Sequence, residues 1–462
     1  MLENLILNTD SYKTSHVWQY PPDTRYLSAY IESRGGRFPH VLFFGLQMFI
    51  KKYLCTPVTT AHIAEAESFC AQHGVPFYKA GWEHIVNAHG GYLPLAIEAV
   101  PEGTLVPTQN VLVQVLNTDP ACFWLPTYIE TALLRAVWYP STVATVSWTC
   151  KAIIARYLQE TADNLDSLDF KLHDFGARGV SSLESAAIGG AAHLINFQGS
   201  DTIAGILQLQ AYYNAPMAGF SIPAAEHSTI TSWGMAQERQ AYANILAQFA
   251  DKYPIVAAVS DSYDIWNAID NLWGGDLKAS LTTFNGTVVI RLDSGNPVHV
   301  VCEAIERLMH LFGFTVNTKG YKMLPPFLRV LQGDGVNSEM IEAILFAMKR
   351  QQLSAENIVF GMGGELLQKI NRDTLKFAMK ASAADLKGQW VPVFKDPITD
   401  PGKRSKQGRL ALIVQDHIYK TIRLDDLNGE KNLLQPVYQD GKLLHRTDLV
   451  QIRARAQQGL LG

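Results

Sequence analysis

Four apolar runs in the second half of this 462-residue chain each end in residues able to bind or react with a charged substrate. They read Pro254-Ile-Val-Ala-Ala-Val-Ser-Asp261-Ser-Tyr-Asp264, Val288-Val-Ile-Arg291-Leu-Asp293-Ser-Gly295-Asn-Pro297, Leu328-Arg-Val-Leu-Gln-Gly333-Asp334-Gly335 and Ile358-Val-Phe-Gly361-Met-Gly363-Gly364. A lone aspartate after a strand is more often a helix cap than a catalyst. Taken together and beside an arginine, Asp261, Asp264, Arg291, Asp293 and Asp334 suit a magnesium-assisted diphosphate site, in which carboxylate and phosphate oxygens share the metal. As a set they point to an enzyme.

Two further stretches offer anion-binding chemistry. After His173-Asp174-Phe175-Gly176-Ala177-Arg178-Gly179 comes Ser181-Ser182-Leu183-Glu184, which fits a Ser-x-x-Glu capping box opening an alanine-rich helix. Arg178 then stands just before a helix N-terminus, where amide N–H groups and the dipole favour a phosphate. Gly361-Met-Gly363-Gly364 before Glu365-Leu-Leu-Gln-Lys369 repeats the device, its glycines letting the backbone approach an oxyanion closely. Neither a Walker loop nor a Gly-x-Gly-x-x-Gly is completed, which disfavours a P-loop NTPase and a standard dinucleotide dehydrogenase. His227, in Ser221-Ile-Pro-Ala-Ala-Glu226-His227-Ser228-Thr229, has two readings: a loop histidine satisfied by its neighbours, or a nucleophile or proton carrier oriented by an adjacent acid. The basic run from Lys395 to Arg409, holding Lys403, Arg404 and Lys406, is a solvated loop unless it lies at a site mouth, where it would draw in polyphosphates.

The elements that must position these residues follow from the same pattern. Short continuous apolar runs closed by turn residues read as buried strands of a parallel sheet, and the intervals leave room for returning helices. In such α/β folds, barrel or doubly wound, reactive groups collect at the carboxyl ends of the strands. This rhythm runs from Leu172 to about Lys369. The part before residue 158 mixes short strands at Thr104-Leu-Val-Pro and Val111 to Leu116 with helix-like stretches such as Trp124 to Tyr139. The tail has strand-like pieces at Leu410 to Val414 and Pro436 to Tyr438 that are expected to return to the first domain. The expected organisation is an α/β domain at 159–372 and a mixed α+β domain built from 1–158 and 373–462. An apolar share of 47%, with 18% charged residues and a formal net charge of -4, suits an ordinary globular protein with no nucleic-acid partner. Cys55, Cys70, Cys122, Cys150 and Cys302 form no Cys-x-x-Cys pair, so neither zinc nor a disulfide framework is expected. No apolar run approaches the roughly 20 residues of a membrane span and no signal-peptide pattern opens the chain, so a cytoplasmic location without membrane contact is expected.

A longer series of segments carries a resemblance. These are Asn8-Thr9-Asp10-Ser11-Tyr12-Lys13, Gln19-Tyr-Pro-Pro22, His173-Asp-Phe-Gly, Arg178-Gly-Val-Ser-Ser182, Gly199-Ser-Asp201-Thr, Pro223-Ala-Ala-Glu-His227-Ser-Thr-Ile-Thr231, Val259-Ser-Asp-Ser-Tyr-Asp264, Arg291-Leu-Asp-Ser-Gly-Asn-Pro297, Gln332-Gly-Asp-Gly335, Phe394-Lys395-Asp396-Pro397 and Lys403-Arg404-Ser-Lys406-Gln-Gly-Arg-Leu410. One would be a weak signal. This many in order, across most of the chain, closely resembles the nicotinamide phosphoribosyltransferase family.

The resemblance implies an irregular α/β barrel of the type II phosphoribosyltransferase kind with a second mixed α+β domain, in a homodimer whose active sites lie at the subunit interface. It implies transfer from phosphoribosyl pyrophosphate to nicotinamide in NAD salvage, with Mg2+ and with ATP as co-substrate. Phe175 is expected on one face of the nicotinamide ring and Tyr12 of the partner subunit on the other, with Asp10 also in the binding site. Asp201 is expected to accept from the carboxamide and to repel a carboxylate ring. Arg178 is expected near the amide oxygen and the phosphate. Arg291 and Asp293 serve the ribose and phosphate region, Gly333, Asp334, Gly363 and Gly364 complete the sugar-phosphate pocket, and Arg372, Lys380, Lys395 and Lys403 contact phosphates. His227 corresponds to the residue phosphorylated by ATP, oriented by Asp261 or Glu226, and Asp261 lies near the metal and diphosphate without an assigned metal ligand. His227, Asp261, Arg291 and Asp293 thus form the expected catalytic set. Ala177 and Ala257 depart from the animal members, which carry tyrosine and serine there, so tunnel shape is where this chain differs. The alternatives are a nicotinate or quinolinate phosphoribosyltransferase and a non-catalytic nucleotide-binding relative.

Overall fold

The computed structural model describes residues 3–249, 252–400 and 403–461. Two compact units divide the chain: Met1–Thr145 with Ala211–Asn214 and Ile370–Gly462, and Val146–Gln210 with Ala215–Lys369. No helix among the described residues is long and apolar enough to cross a membrane.

The first unit is built on a seven-stranded sheet in the order Gln389–Pro392, Phe377–Leu386, Thr24–Ser33, Val111–Asn117, Leu95–Ala99, Gln435–Gln439 and Lys442–Leu443, with every pairing antiparallel. The tail therefore enters the sheet twice, beside Thr24–Ser33 and beside Leu95–Ala99. Leu410–Gln415 and Ile418–Arg423 form a separate hairpin. The helix expected over Trp124 to Tyr139 is instead a short helix Leu125–Tyr128 and a long one, Glu130–Thr161. The longer helix carries Pro140 in its interior, a residue that usually ends a helical pattern, so sequence marked a stop that packing overrides.

The second unit holds six strands, here β1 (Leu172–Asp174), β2 (Gly199–Ser200), β3 (Ile255–Val259), β4 (Thr287–Leu292), β5 (Leu328–Gln332) and β6 (Ile358–Met362). They form one parallel sheet in the order β2-β1-β6-β5-β4-β3. Helices such as Leu183–His193, Pro297–Phe312 and Ser338–Arg350 return the chain between strands. Asn296 and Asn337 cap the last two by accepting from the amides of His299 and Met340. The helix Leu183–His193 opens one residue later than expected: Ser182 is its cap and accepts from Ser185, so Glu184 falls in the first turn and makes no capping box with Ser181.

The two edges of this sheet meet through one irregular segment, residues 220–225. At its start it bridges β2, with Ser200 donating to Phe220 O and Phe220 to Gln198 O. At its end it bridges β3, with Ala257 donating to Pro223 O and Ala225 to Ala257 O. This segment closes the sheet into an irregular α/β barrel and leaves neither edge unpaired.

Side chains alternate along each strand. Ala257, Val289 and Leu331 form one buried cluster against which Phe175, Ile222 and Val359 pack. Their partners on the opposite strand face, Val256, Ala258, Val288, Ile290 and Val330, are wholly buried as well. Strands buried on both faces account for the continuous apolar runs of the sequence.

Candidate active site

Following the inward row of β4 upward from Val289 in steps of two leads to Arg291 and then Asp293; the same row of β3 leads from Ala257 through Val259 to Asp261. Asp261, Arg291 and Asp293 of the expected catalytic set are thus delivered by strand periodicity to one end of the barrel, and the closing segment runs directly into Glu226 and His227.

These groups interlock. His227 Nε2 lies 3.2 Å from Asp261 Oδ1, and His227 Nδ1 lies 3.9 Å from Asp293 Oδ2. Asp261, whose side chain is only 4% exposed, accepts from the Asp293 amide at 3.1 Å and from Ser294 Oγ at 2.5 Å through its other oxygen. Arg291 Nη2 is 3.0 Å from both oxygens of Asp293, and the guanidinium lies 5.5 Å from the Phe175 ring centre. Of the two acids expected to orient His227, Asp261 is the one within hydrogen-bond distance of its ring. Glu226 instead accepts from Ser228 Oγ.

Glycines make room for these large groups. A Cβ on Gly361 would come within 2.1 Å of the Phe175 ring, and one on Gly333 within 2.5 Å of Asp293 Oδ1 and 3.0 Å of Arg291 Nε. Arg291 Nε is buried without a hydrogen-bond partner, a donor held ready beside the Gly333 backbone. Asp334 is exposed, and its carbonyl accepts from Gln332 Nε2 at 2.7 Å.

Just past β1, the Phe175 amide donates to Met362 O, and just past β2 the Asp201 amide donates to Asp174 O, so Phe175 and Asp201 follow the ends of neighbouring strands. Asp201 accepts from Ser221 Oγ, a hydroxyl supplied by the barrel-closing segment. Buried Asp174 accepts from the Gly176 amide at 2.7 Å; burial, reinforced by the Asp201 charge, pushes its carboxyl up to about 6. Burial lowers the pKa of His173, against the opposing effect of Asp201.

Arg178 sits in the 3-10 turn Ala177–Gly179, exposed and separated from the following helix by an extended Val180. A Cβ on Gly179 would stand 3.5 Å from Gly364 Cα, so the two expected phosphate loops adjoin. Open space lies over Gly364 at the start of the short helix Gly364–Leu367, where it leaves access to the backbone. Asp264 is the cap of Ile265–Asn267, as a lone aspartate after a strand often is.

Asp10, Tyr12, Arg372, Lys380, Lys395 and Lys403 belong to the other unit. Asp10 accepts from Thr131 Oγ1 at 2.5 Å, and Tyr12 is 61% exposed beside His16. Arg372 bonds Asp373 and Lys403 bonds Asp400, both at exposed positions. Lys380 Nζ donates to Met379 O; burial lowers its pKa, Glu130 opposes this, and the neighbouring charges of Arg34, Lys13 and Lys395 lower it further. Lys13 is buried on Glu130 at 2.7 Å. Arg34 bonds Glu32, which also holds Lys406 from the basic run. Sequence reasoning did not single out Arg34 or Glu32, because nothing local joins Glu32 to a lysine in the tail.

Comparison with known proteins adds the lineage. The profile of the nicotinate phosphoribosyltransferase (NAPRTase) family matches residues 170–442, and that of the nicotinamide phosphoribosyltransferase N-terminal domain matches residues 4–97. The chain is 52% identical to nicotinamide phosphoribosyltransferase of Xanthomonas campestris pv. campestris, covering 100% of this chain and 99% of that protein. It is 32% identical to the protein of the same name from Acinetobacter baylyi, covering 98% and 96%. Among solved structures, nicotinate-nucleotide pyrophosphorylase from Pyrococcus furiosus shares the fold at a TM-score of 0.64 and 16% identity, over 99% of this chain and 95% of that one.

Proposed function

The chain belongs to the nicotinate phosphoribosyltransferase family and, within it, to the nicotinamide phosphoribosyltransferases, and from that premise we propose that it transfers the phosphoribosyl group of phosphoribosyl pyrophosphate to the ring nitrogen of nicotinamide. The products are nicotinamide mononucleotide and pyrophosphate, in a salvage route to NAD. The observation that carries the choice of acceptor is the placement of Phe175 and Asp201 just past the ends of two neighbouring strands. An aromatic face beside a hydrogen-bond acceptor suits a pyridine whose carboxamide donates N–H, and it repels the carboxylate of nicotinic acid.

In the transfer, the bond from the anomeric carbon to pyrophosphate breaks as the pyridine nitrogen forms the new C–N bond, with oxocarbenium character between. Asp293 and Asp261 tolerate the developing positive charge, while Arg291 neutralises the departing oxygens. The nicotinamide nitrogen already carries its lone pair, so stacking on Phe175 contributes position and not proton transfer. Asp261 and Asp293 are hard oxygen donors of the type Mg2+ takes together with substrate phosphates, and both lie at the barrel end that supplies Arg291 and the Gly364 backbone. A magnesium ion arriving with the diphosphate would supply charge neutralisation of the leaving group.

ATP enters through His227. Asp261 can only accept, so Nε2 carries the proton and Nδ1 keeps the lone pair. Nδ1 attacks the γ-phosphorus of ATP; the N–P bond forms as the bond to ADP breaks, and water later removes the phosphoryl group. The resulting phosphohistidine couples ATP hydrolysis to substrate binding and product yield. In the homodimer included in this proposal, Tyr12 of the partner subunit covers the open face of the nicotinamide ring. Arg178, Arg372, Lys380, Lys395 and Lys403 serve the phosphates, and Asp10 supports the Tyr12 segment. The enzyme acts in the cytoplasm. The test is mononucleotide formation from phosphoribosyl pyrophosphate, Mg2+ and nicotinamide, with pyrophosphate released in equal amount; no product from nicotinamide overturns the proposal.

A further inference from the structure

In the first unit, outside every residue assigned above, two elements bring four potential metal ligands together. His84 Nε2 and His89 Nε2 each lie 2.7 Å from the same oxygen, Asp119 Oδ2. Their rings are 5.6 Å apart, His84 in the middle of helix Lys79–His89 and His89 at its C-terminal end. Asp119 opens the 3-10 turn Pro120–Cys122 and accepts from the Ala121 amide through Oδ1, which leaves Oδ2 to the imidazoles. Ligand atoms of His84, Asp119 and Cys122 all fall within 4.8 Å of one another.

We propose that His84, His89, Asp119 and Cys122 form a binding site for a divalent cation of the zinc class. Two imidazoles, a carboxylate and a thiolate are a four-membered nitrogen, oxygen and sulfur set, the donor mixture that favours Zn2+ or Co2+ over Mg2+ or Ca2+. All four positions are protein-supplied, which assigns the site a structural part, pinning the end of one helix to the turn that precedes Leu125–Tyr128. Without metal, a carboxylate oxygen can only accept, so both Nε2 atoms carry protons. On binding, the Cys122 S–H proton leaves to solvent as the metal–sulfur bond forms, and neutral imidazoles turn their N–H to Nδ1 so that Nε2 lone pairs reach the metal. Pattern reading missed the set because it pairs a cysteine with histidines well before it in sequence, without Cys-x-x-Cys spacing.

The test uses the full-length chain, stripped with a chelator and titrated with Co2+. The expected result is one Co2+ per chain with the intense thiolate-to-cobalt charge-transfer band, bleached by added Zn2+, and a higher melting temperature with Zn2+. Co2+ taken up by the carboxylates of the barrel would lack that band. Cys122→Ala is expected to abolish the band. Because Cys122 is buried, the partly exposed pair His84→Gln with His89→Gln provides a second arm, expected to weaken Co2+ binding by at least about tenfold. A wild-type chain with no charge-transfer band, or a band unchanged in both variants, overturns the proposal and leaves a histidine–aspartate–histidine hydrogen-bond cluster in its place.

Discussion

His227 and Asp261 face each other at 3.2 Å, Nε2 to Oδ1, with Asp261 itself fixed by the backbone amide of Asp293 and the hydroxyl of Ser294. Both of these donors are held by the loop after β4. The imidazole therefore has a defined direction, with Nδ1 turned toward Asp293.

Asp261→Asn should disturb both sides of this arrangement, since an amide presents an N–H either to the Asp293 amide and Ser294 or to His227. ATP stimulation and acid-labile phosphate on the chain should disappear, and transfer without ATP should fall by about tenfold to a hundredfold. Steady-state rates with and without ATP, together with phosphate incorporation from labelled ATP, check this. Undiminished labelling would rule out the orienting role.

Gly361→Ala places a methyl 2.1 Å from the Phe175 ring. Overpacking of this kind costs about 1–3 kcal/mol, and the ring must move. The Michaelis constant for nicotinamide should rise while that for phosphoribosyl pyrophosphate changes little, a split that substrate-saturation kinetics read directly.

Lys395→Ala removes a cation from the group around Lys380. A charged hydrogen bond to phosphate contributes about 1.5–3 kcal/mol, so the Michaelis constant for phosphoribosyl pyrophosphate should rise by about tenfold or more, with nicotinamide affinity preserved.

Asp174 gives a pH-dependent stability test. Its folded pKa of about 6 lies above that of an unfolded aspartate, about 3.9, because the buried site penalises the charged form. The folded chain therefore holds a proton there that the unfolded chain has lost between those values, and stability falls as pH rises through that window. Asp174→Asn keeps an acceptor for the Gly176 amide and removes the penalty. It should stabilise the chain by about 2–3 kcal/mol at pH 7 to 8 and by little at pH 4. Denaturant titrations at both pH values decide; an equal effect at each would show that burial of the charge is not the cause.

Much of the barrel was legible in sequence because the physics is local there. Apolar runs buried on both faces gave β3 to β6, and steps of two along them carried Asp261, Arg291, Asp293 and Gly333 to one end. The closing segment was not legible, since residues 220–225 pair through isolated backbone bridges that leave no periodic trace. The partners of the aspartates, Ser294 for Asp261 and Ser221 for Asp201, arise only when distant loops meet. Two adjacent serines, Ser181 and Ser182, made the cap ambiguous by one residue, and Pro140 imitated a helix end.

Acceptor choice tests the proposed activity most directly. The measurement is kcat/KM for nicotinamide and for nicotinic acid, with phosphoribosyl pyrophosphate and Mg2+, for the wild-type chain and Asp201→Asn. Strong preference for nicotinamide in the wild type, narrowed by about tenfold or more in the variant, is the predicted result. Equal or better use of nicotinic acid by the wild type, or a preference that Asp201→Asn leaves intact, would contradict it.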